Sequence, residues 1–306
     1  MNFTKYFKFY NIFSGLLVFT AIFFLFSIGL KFSIDFTGGS ILEIEFEKRP
    51  ENPVIQEKLK DLNLGEITIQ PTGERGVILR IREINEKSHE DLLSKLEEIS
   101  KVKEQRFENI GPVVGKELRQ KTIILIIVSL LSLLVYIAIA FSKISRPISS
   151  WQYGIISIIT LSFDVLVAIG VFTLFEKFYN IQFSIPIVTA LLTILGYTIN
   201  DKVIVFDRIR ENILKGAEAP AKGGSGRYPE KNFEEIVNLS LNQTLTRSLS
   251  TGTCTLLVLL SIFFFGGETL KYFSLTLIVG IIVGTYSSLF LATPLLVSWL
   301  RRRSKG

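Results

Sequence analysis

The sequence predicts a polytopic α-helical membrane protein with a single α+β domain inserted between its first two spans. Three observations lead there. The 306 residues combine 48% hydrophobic residues and a mean hydropathy of +0.41 with 20% charged residues, so the two kinds must be segregated into blocks. Six apolar blocks are long enough to cross a hydrocarbon core of about 30 Å, which takes roughly 20 helical residues. The one long block between them that looks water-soluble mixes strand and helix periodicities.

The apolar blocks run from Ile12 to Leu30, Thr122 to Phe141, Tyr153 to Phe175, Phe183 to Phe206, Leu249 to Phe265 and Phe273 to Leu296. The first is longer than the roughly 7–15 apolar residues of a signal peptide, and no small-residue cleavage site follows it cleanly, so it reads as a retained anchor. If the six alternate, Lys5 and Lys8, Lys143 and Arg146, the cluster from Arg208 to Lys231, and Arg301 to Lys305 share one side. Excess Lys and Arg in short connections marks that side as cytoplasmic. Both termini then face the cytoplasm, and the insert faces outward with the connections Glu176 to Gln182 and Gly266 to Tyr272. The isoelectric point of about 9.2 follows from this topology and needs no nucleic-acid partner. The expected plan is an N-terminus and first helix in 1–31, an outward domain in 32–121, helices two to six in 122–298 with a cytoplasmic linker over 207–248, and a basic tail in 299–306.

Within the insert, Ser40 to Phe46 alternates with period two and predicts a strand, and Pro53 to Leu62 has apolar residues at helical spacing. Glu66 to Gln70 and Val77 to Arg82 flank a turn at Pro71 to Gly76, a hairpin pattern. Ser88 to Ile99 predicts an amphipathic helix with Leu92, Leu93, Leu96 and Ile99 on one face, and Val102 to Ile110 closes the sheet. Strand, helix, strand, strand, helix, strand is the order of a ferredoxin-like domain. That fold hosts many activities and names none.

Composition narrows the chemistry. One cysteine, Cys254, and one histidine, His89, exclude a disulfide framework and any zinc site built from several Cys and His ligands. His89 stands among charged residues and reads as solvated. Gly111-Pro-Val-Val-Gly-Lys-Glu117 is one residue short of a phosphate-binding loop, with Glu117 where a hydroxyl would hold magnesium; it reads as a turn re-entering the second span. Ala217 to Pro229, rich in Gly, Pro, Ala and Ser, reads as a linker. No Ser-His catalytic set or His-Glu-x-x-His set appears, so neither an enzyme nor a cofactor or metal site is expected.

The informative residues are the ionisable ones inside the apolar blocks. A charge at the centre of a spanning helix costs roughly 2.5–3.5 kcal/mol on insertion scales, so those that persist face a bundle interior and have partners. Asp164 is at the middle of the third block, on a face with Thr160 and Ser157. Asp201 lies near the cytoplasmic end of the fourth, below Thr189, Thr193, Gly196, Tyr197 and Asn200. Arg247 precedes the fifth, with Gln243, Thr244, Ser250 and Thr251. Asp164 is the deepest and demands a protonated carboxyl, a buried partner or a water path. Gly280 and Gly284 form a small-xxx-small contact in the sixth block.

Ile34-Asp-Phe-Thr-Gly-Gly39, Gly111-Pro-Val-Val-Gly115, Gly196 to Asn212 and Leu239 to Ser248 occur in one order and together span nearly the whole chain. With these motifs the sequence resembles the SecF branch of the SecD/SecF protein-export family, within the resistance-nodulation-division superfamily. The resemblance implies an inner-membrane subunit that works with SecD beside the SecYEG channel and uses the proton-motive force to draw exported unfolded polypeptides outward. Its partners would be SecD, SecYEG, the exported chain, protons and membrane lipids. By the same resemblance Asp201 matches the family's proton-relay aspartate and Arg247 the fifth-span arginine associated with it, with Asp164 as a third member. Asp35, Gly38 and Gly39 would belong to the entrance signature of the outward domain, and Asn200, Asp207 and Arg208 to the signature around Asp201. The chain departs from the pattern at Phe163, where a histidine is common, at Lys202, where a small residue is usual, and in a longer linker. An Asp201–Arg247 pair that makes and breaks is the expected relay, with Lys202 on a different helix face. Two other readings fit the same layout: an assembly factor that moves no protons, and half of a small-molecule efflux transporter, for which the insert is small.

Overall fold

The computed structural model describes residues 3–140, 149–218 and 230–304. Lys143, Arg146, Lys305 and the 219–229 part of the expected linker lie outside the described residues. In chain order the elements are α1 (Phe7–Ile28), α2 (Ile34–Thr37), β1 (Gly39–Phe46), α3 (Asn52–Leu59), β2 (Thr68–Thr72), β3 (Gly76–Ile81), α4 (Glu86–Glu97) and β4 (Val102–Ile110). Then come α5 (Pro112–Ala140), α6 (Ser150–Tyr179), α7 (Ile185–Glu218), α8 (Glu230–Phe265), α9 (Glu268–Phe290) and α10 (Ala292–Ser304). The chain divides into two compact units: residues 30–125 with 176–185, and residues 1–29, 126–175 and 186–306.

The first unit is built on an antiparallel sheet of order β2-β3-β1-β4, the ferredoxin-like arrangement expected from the element order. Alternation along β1 buries Leu42, Ile44 and Phe46 against Ile55 and Leu59 of α3 and Leu92 and Leu96 of α4. Asn85 caps α4, its side-chain oxygen accepting from the Ser88 N–H at 2.9 Å. This satisfies one of the orphan donors of the first turn. His89 is not solvated: it is buried, stacks on Phe107 at 3.9 Å between ring centroids, and has Nε2 3.3 Å from Glu104. Amphipathic α4 turns this position toward β4, so its charged sequence neighbours were a poor guide to its surroundings.

This unit also takes in 176–185, which the sequence marks only as a short connection. The Ser33 N–H donates to the Phe183 carbonyl at 2.9 Å and the Phe183 N–H to the Lys31 carbonyl at 2.8 Å. The rings of Phe32, Phe36 and Phe183 pack edge-on or tilted around that junction.

The second unit holds the apolar helices. Six segments, Thr4–Ile28, Pro112–Ala140, Trp151–Tyr179, Ile185–Lys215, Phe233–Phe265 and Leu270–Arg301, are long and apolar enough to cross a membrane. α7 has 34 residues and α8 has 36, so each is about 50 Å long at 1.5 Å per residue and exceeds a hydrocarbon core of about 30 Å. Hence most of the expected 207–248 linker is not loop. It is the continuation of two helices, tied together where the Asn212 amide donates to Ser240 at 2.8 Å and Gln243 at 2.9 Å. The last apolar block is likewise two helices, α9 and α10, meeting at Leu291. Pro294 has no N–H for the Phe290 carbonyl, which breaks the ladder there. Tyr153, Leu195, Phe206, Leu241 and Leu289 are among the core, and Ala21 of α1 meets Phe163 and Val167 of α6. Phe163 is thus a core side chain.

Candidate functional site

Two constellations contain the residues singled out from sequence. The first is the signature after α1. Gly38 and Gly39 have φ of +79° and +141°, backbone that favours glycine. A Cβ on Gly38 would lie 2.7 Å from the Pro112 Cα, and one on Gly115 would lie 2.8 Å from the Gly38 nitrogen. The two glycine motifs therefore exist for each other: each lets the other's backbone pass. Asp35 Oδ2 accepts from the Ile185 N–H at 2.9 Å. A carboxylate there satisfies an orphan donor at the first turn of α7 and complements the helix dipole. Gly111-Pro-Val-Val-Gly115 is the start of α5, with Pro112 at its first position, where a missing N–H costs nothing.

The second constellation is inside the helical unit. Asp164 of α6 and Lys202 of α7 are both fully buried and make an ion pair, Nζ to Oδ2, of 2.6 Å. Of the three solutions open to a carboxylate at that depth, the chain uses a buried partner. The cation is Lys202, whose place on another face from Asp201 turns it onto α6. Ser157 and Thr160 are buried on the same side of α6 as Asp164. A Cβ on Gly284 would collide with the Thr198 methyl and sit 3.7 Å from Asp164 Oδ2, and one on Gly280 would collide with Ile194. The small-xxx-small pair thus lets α9 close directly over α7 and the ion pair.

Asp201 is 2% exposed, and its Oδ2 is buried without a hydrogen-bond partner. Arg247 is exposed on α8. Among the described residues no ion pair joins the two in this arrangement, so the expected Asp201–Arg247 contact is not formed here. The reason is rotational: Ser240, Thr244 and Ser248 form the buried stripe of α8, and Arg247 is one residue, about 100°, off it. The two faces still meet nearby, where the Tyr197 and Thr255 hydroxyls are 3.4 Å apart. Thr189, Thr193, Gly196 and Asn200 line the exposed side of α7. Asp207 lies 3.6 Å from Arg210, and Arg208 donates to Glu211 at 2.7 Å. These are pairs along one helix surface, which contribute a few tenths of a kcal/mol each.

Sequence reading missed two participants. The partnership of Lys202 with Asp164 could have been suspected, because a lysine in an apolar block needs an anion as much as an aspartate needs a cation. Glu176 is fully buried and its Oε1 accepts from the Lys31 N–H at 2.6 Å; it was passed over as a connection residue.

Comparison with known proteins agrees with this architecture. Residues 89–302 match the family model "Protein export membrane protein SecD/SecF, C-terminal", and residues 23–48 match the "SecD/SecF GG Motif". The "Protein translocase subunit SecF" of Thermobaculum terrenum is 40% identical, with 94% of this chain and 90% of the relative aligned. That of Desulfurispirillum indicum is 36% identical, covering 94% and 88%. The crystal structure of SecDF from Thermus thermophilus, described as a translocon-associated membrane protein, superposes with a TM-score of 0.84 at 32% identity. The match takes in 99% of this chain but 39% of that one, so this chain spans well under half the length of that SecDF. With its six apolar helices, glycine signature and family match over most of its length, the chain belongs to the SecD/SecF family of protein-export membrane proteins and is an accessory subunit of Sec translocation.

Proposed function

We propose that this subunit couples proton entry to polypeptide export, with a SecD-type chain supplying the other half of the membrane assembly beside SecYEG. The membrane would be the inner membrane, with both termini cytoplasmic, as the Lys and Arg distribution favours, and the 32–121 domain periplasmic. The relay would be Asp201, with Asp164 and Arg247 as its electrostatic neighbours.

The observation that carries this reading is the contrast between two carboxylates in adjoining helices. Asp164 holds a cation, Lys202, at its Oδ2, though its Oδ1 is buried without a hydrogen bond. Asp201, one residue from that lysine, has no ion-pair partner among the described residues and likewise keeps a buried oxygen, Oδ2, without a hydrogen bond. With Asp164 and Lys202 both charged they neutralise each other, and the charge of the cluster depends on the proton on Asp201. Protonation makes the cluster neutral; deprotonation makes it an anion that draws Arg247 or a cation of the partner chain. An elementary charge crossing the potential supplies about 2.3 kcal/mol per 100 mV, enough to bias a two-state movement of helices. The exposed polar stripe of α7, beside Arg247 on α8, supports a second chain over that face, because polar groups in a spanning segment face protein or water.

The test is export of a periplasmic reporter in cells lacking their own SecF, supplied with wild-type, Asp201→Asn or Asp164→Asn protein at matched membrane levels. Asp201→Asn should keep the complex with SecD and lose the stimulation that depends on the proton-motive force. Full activity of that variant would leave the structural, proton-independent reading in its place.

A further inference from the structure

We infer that the 30–125 and 176–185 unit carries a binding site for an anionic phospholipid headgroup. A cavity of about 510 Å³ is lined by Lys31 from the end of the first span, Glu66 and Arg80 and Arg82 from the hairpin side of the sheet, and Asn180 and Gln182 from the connection after α6. Its charge is three cations against one carboxylate, and its size is in the range of small-molecule sites.

The cations are not all committed elsewhere. Arg80 donates to Gln70 at 2.7 Å, but Lys31 and Arg82 are exposed and, among the described residues, the side chain of neither makes an ion pair or hydrogen bond; the buried Glu176 carboxyl lies near enough to offset part of the Lys31 charge. Gln182 Oε1 is buried with no hydrogen-bond partner. A phosphodiester carrying a free hydroxyl meets both needs: its phosphate pairs with Lys31 and Arg82, and its hydroxyl donates to the Gln182 oxygen. That combination is the headgroup of phosphatidylglycerol. Another cavity of the unit gives a contrast, since its lining has Lys58 and Lys95 balanced by Glu57 and Asp61.

Sequence position chooses the lipid over a soluble anion. Lys31 is three residues past the span Thr4–Ile28, and Asn180 and Gln182 fall between the spans Trp151–Tyr179 and Ile185–Lys215. Three residues reach at most about 10 Å, and the polar layer of a bilayer is roughly 5–8 Å deep on each side of the hydrocarbon. Lys31 and the 180–182 connection therefore lie at headgroup depth. Lysine there also buries its stem and keeps its ammonium among the phosphates.

The full chain would be released from vesicles of equal parts phosphatidylethanolamine and phosphatidylglycerol and its retained lipid counted by native mass spectrometry. Wild type should retain phosphatidylglycerol in preference. Lys31→Gln with Arg82→Gln should weaken retention about thirtyfold, taking the usual contribution of each basic residue at an anionic surface, whereas Lys95→Gln should leave it unchanged. In parallel, a photoreactive phosphatidylglycerol should cross-link wild-type chain at residues 31, 80–82 or 180–182, a readout that needs no variant to fold. Equal retention of the two lipids, an unchanged double variant, or cross-links confined elsewhere would overturn the assignment. So would displacement of the lipid by inorganic phosphate alone, which would make this a free-anion site, or by an acidic peptide, which would make it a contact for the exported chain.

Discussion

The two sides of α7 solve the same problem in opposite ways. On the side toward α6 and α9, Lys202 is fully buried against Asp164, and Gly284 leaves room for Thr198 beside them. On the side toward solvent or partner, Thr189, Thr193, Gly196 and Asn200 are exposed and, among the described residues, no glycine-mediated contact covers them. Asp201 sits between, buried but without a partner for Oδ2. A span that completes one charge pair internally and leaves its other polar face uncovered is finished as a helix bundle and unfinished as a machine. The difference teaches where to look for coupling: at the boundary between the two sides, and not at the buried pair itself.

The comparison can be broken most forcefully at the closed side. Lys202→Met leaves Asp164 buried without its cation and should cost about 3–5 kcal/mol in unfolding measured in micelles. Adding Asp164→Leu should recover most of that loss, because an apolar pair of similar volume needs no charge compensation. If the double variant is as unstable as the single one, the ion pair is not what holds α6 to α7.

Gly284→Ala comes next. Its Cβ would meet the Thr198 methyl, an overpacking worth roughly 1–3 kcal/mol. Thr198→Ala in the same chain should restore stability by removing the methyl, and failure to do so would place the strain elsewhere.

On the open side the same measurement should barely move. Arg247→Ala and Asn200→Ala are expected to stay within about 0.5 kcal/mol of wild type as isolated chains. If Arg247 acts with the partner half as proposed, export stimulation should nonetheless fall for Arg247→Ala. A large loss of stability instead would mean that this face is closed in the chain alone.

The smallest effect should come from an ion pair that matches Asp164–Lys202 in length but not in surroundings. Lys58 Nζ lies 2.5 Å from Glu98 Oε2 at the surface of the sheet domain. The Lys58 hydrogen bond and charge hold the Glu98 carboxyl below its ordinary value of 4.5. A depressed carboxyl stabilises the fold above the unfolded-state value, and that contribution is lost as pH falls through the depressed one. Thermal midpoints of wild type and Lys58→Ala should therefore differ slightly above about pH 4.5 and converge on acidification. Divergence at low pH would reverse the sign and refute the pairing.

Much of this molecule is legible in its sequence. The strands and helices of the sheet domain followed from the alternation in Ser40 to Phe46 and the apolar face of Ser88 to Ile99, and the spans from runs of apolar residues. The candidate site was legible as a set of residues but not as a set of contacts. The sequence marks Asp164 as needing a partner and Lys202 as lying on another face from Asp201, but does not join the two; the fold does. Charged neighbours make His89 look solvated and polarity makes 207–248 look like a linker, yet His89 is buried on the inner face of α4 and most of 207–248 is helix, because a helix continues readily once it leaves the hydrocarbon.

The physical reason divides these cases. Hydropathy, period and glycine spacing are properties of adjacent residues, so local sequence alone was enough for the spans, the element order of the domain and the family signature. Which cation meets which carboxylate depends on how each long helix is rotated about its axis. That rotation is decided by distant packing: Gly280 and Gly284 admit Ile194 and Thr198, α9 closes over α7, and Lys202 is left facing Asp164. A step of one residue turns a side chain by about 100°, which is the whole difference between the buried Asp164–Lys202 pair and the exposed Arg247.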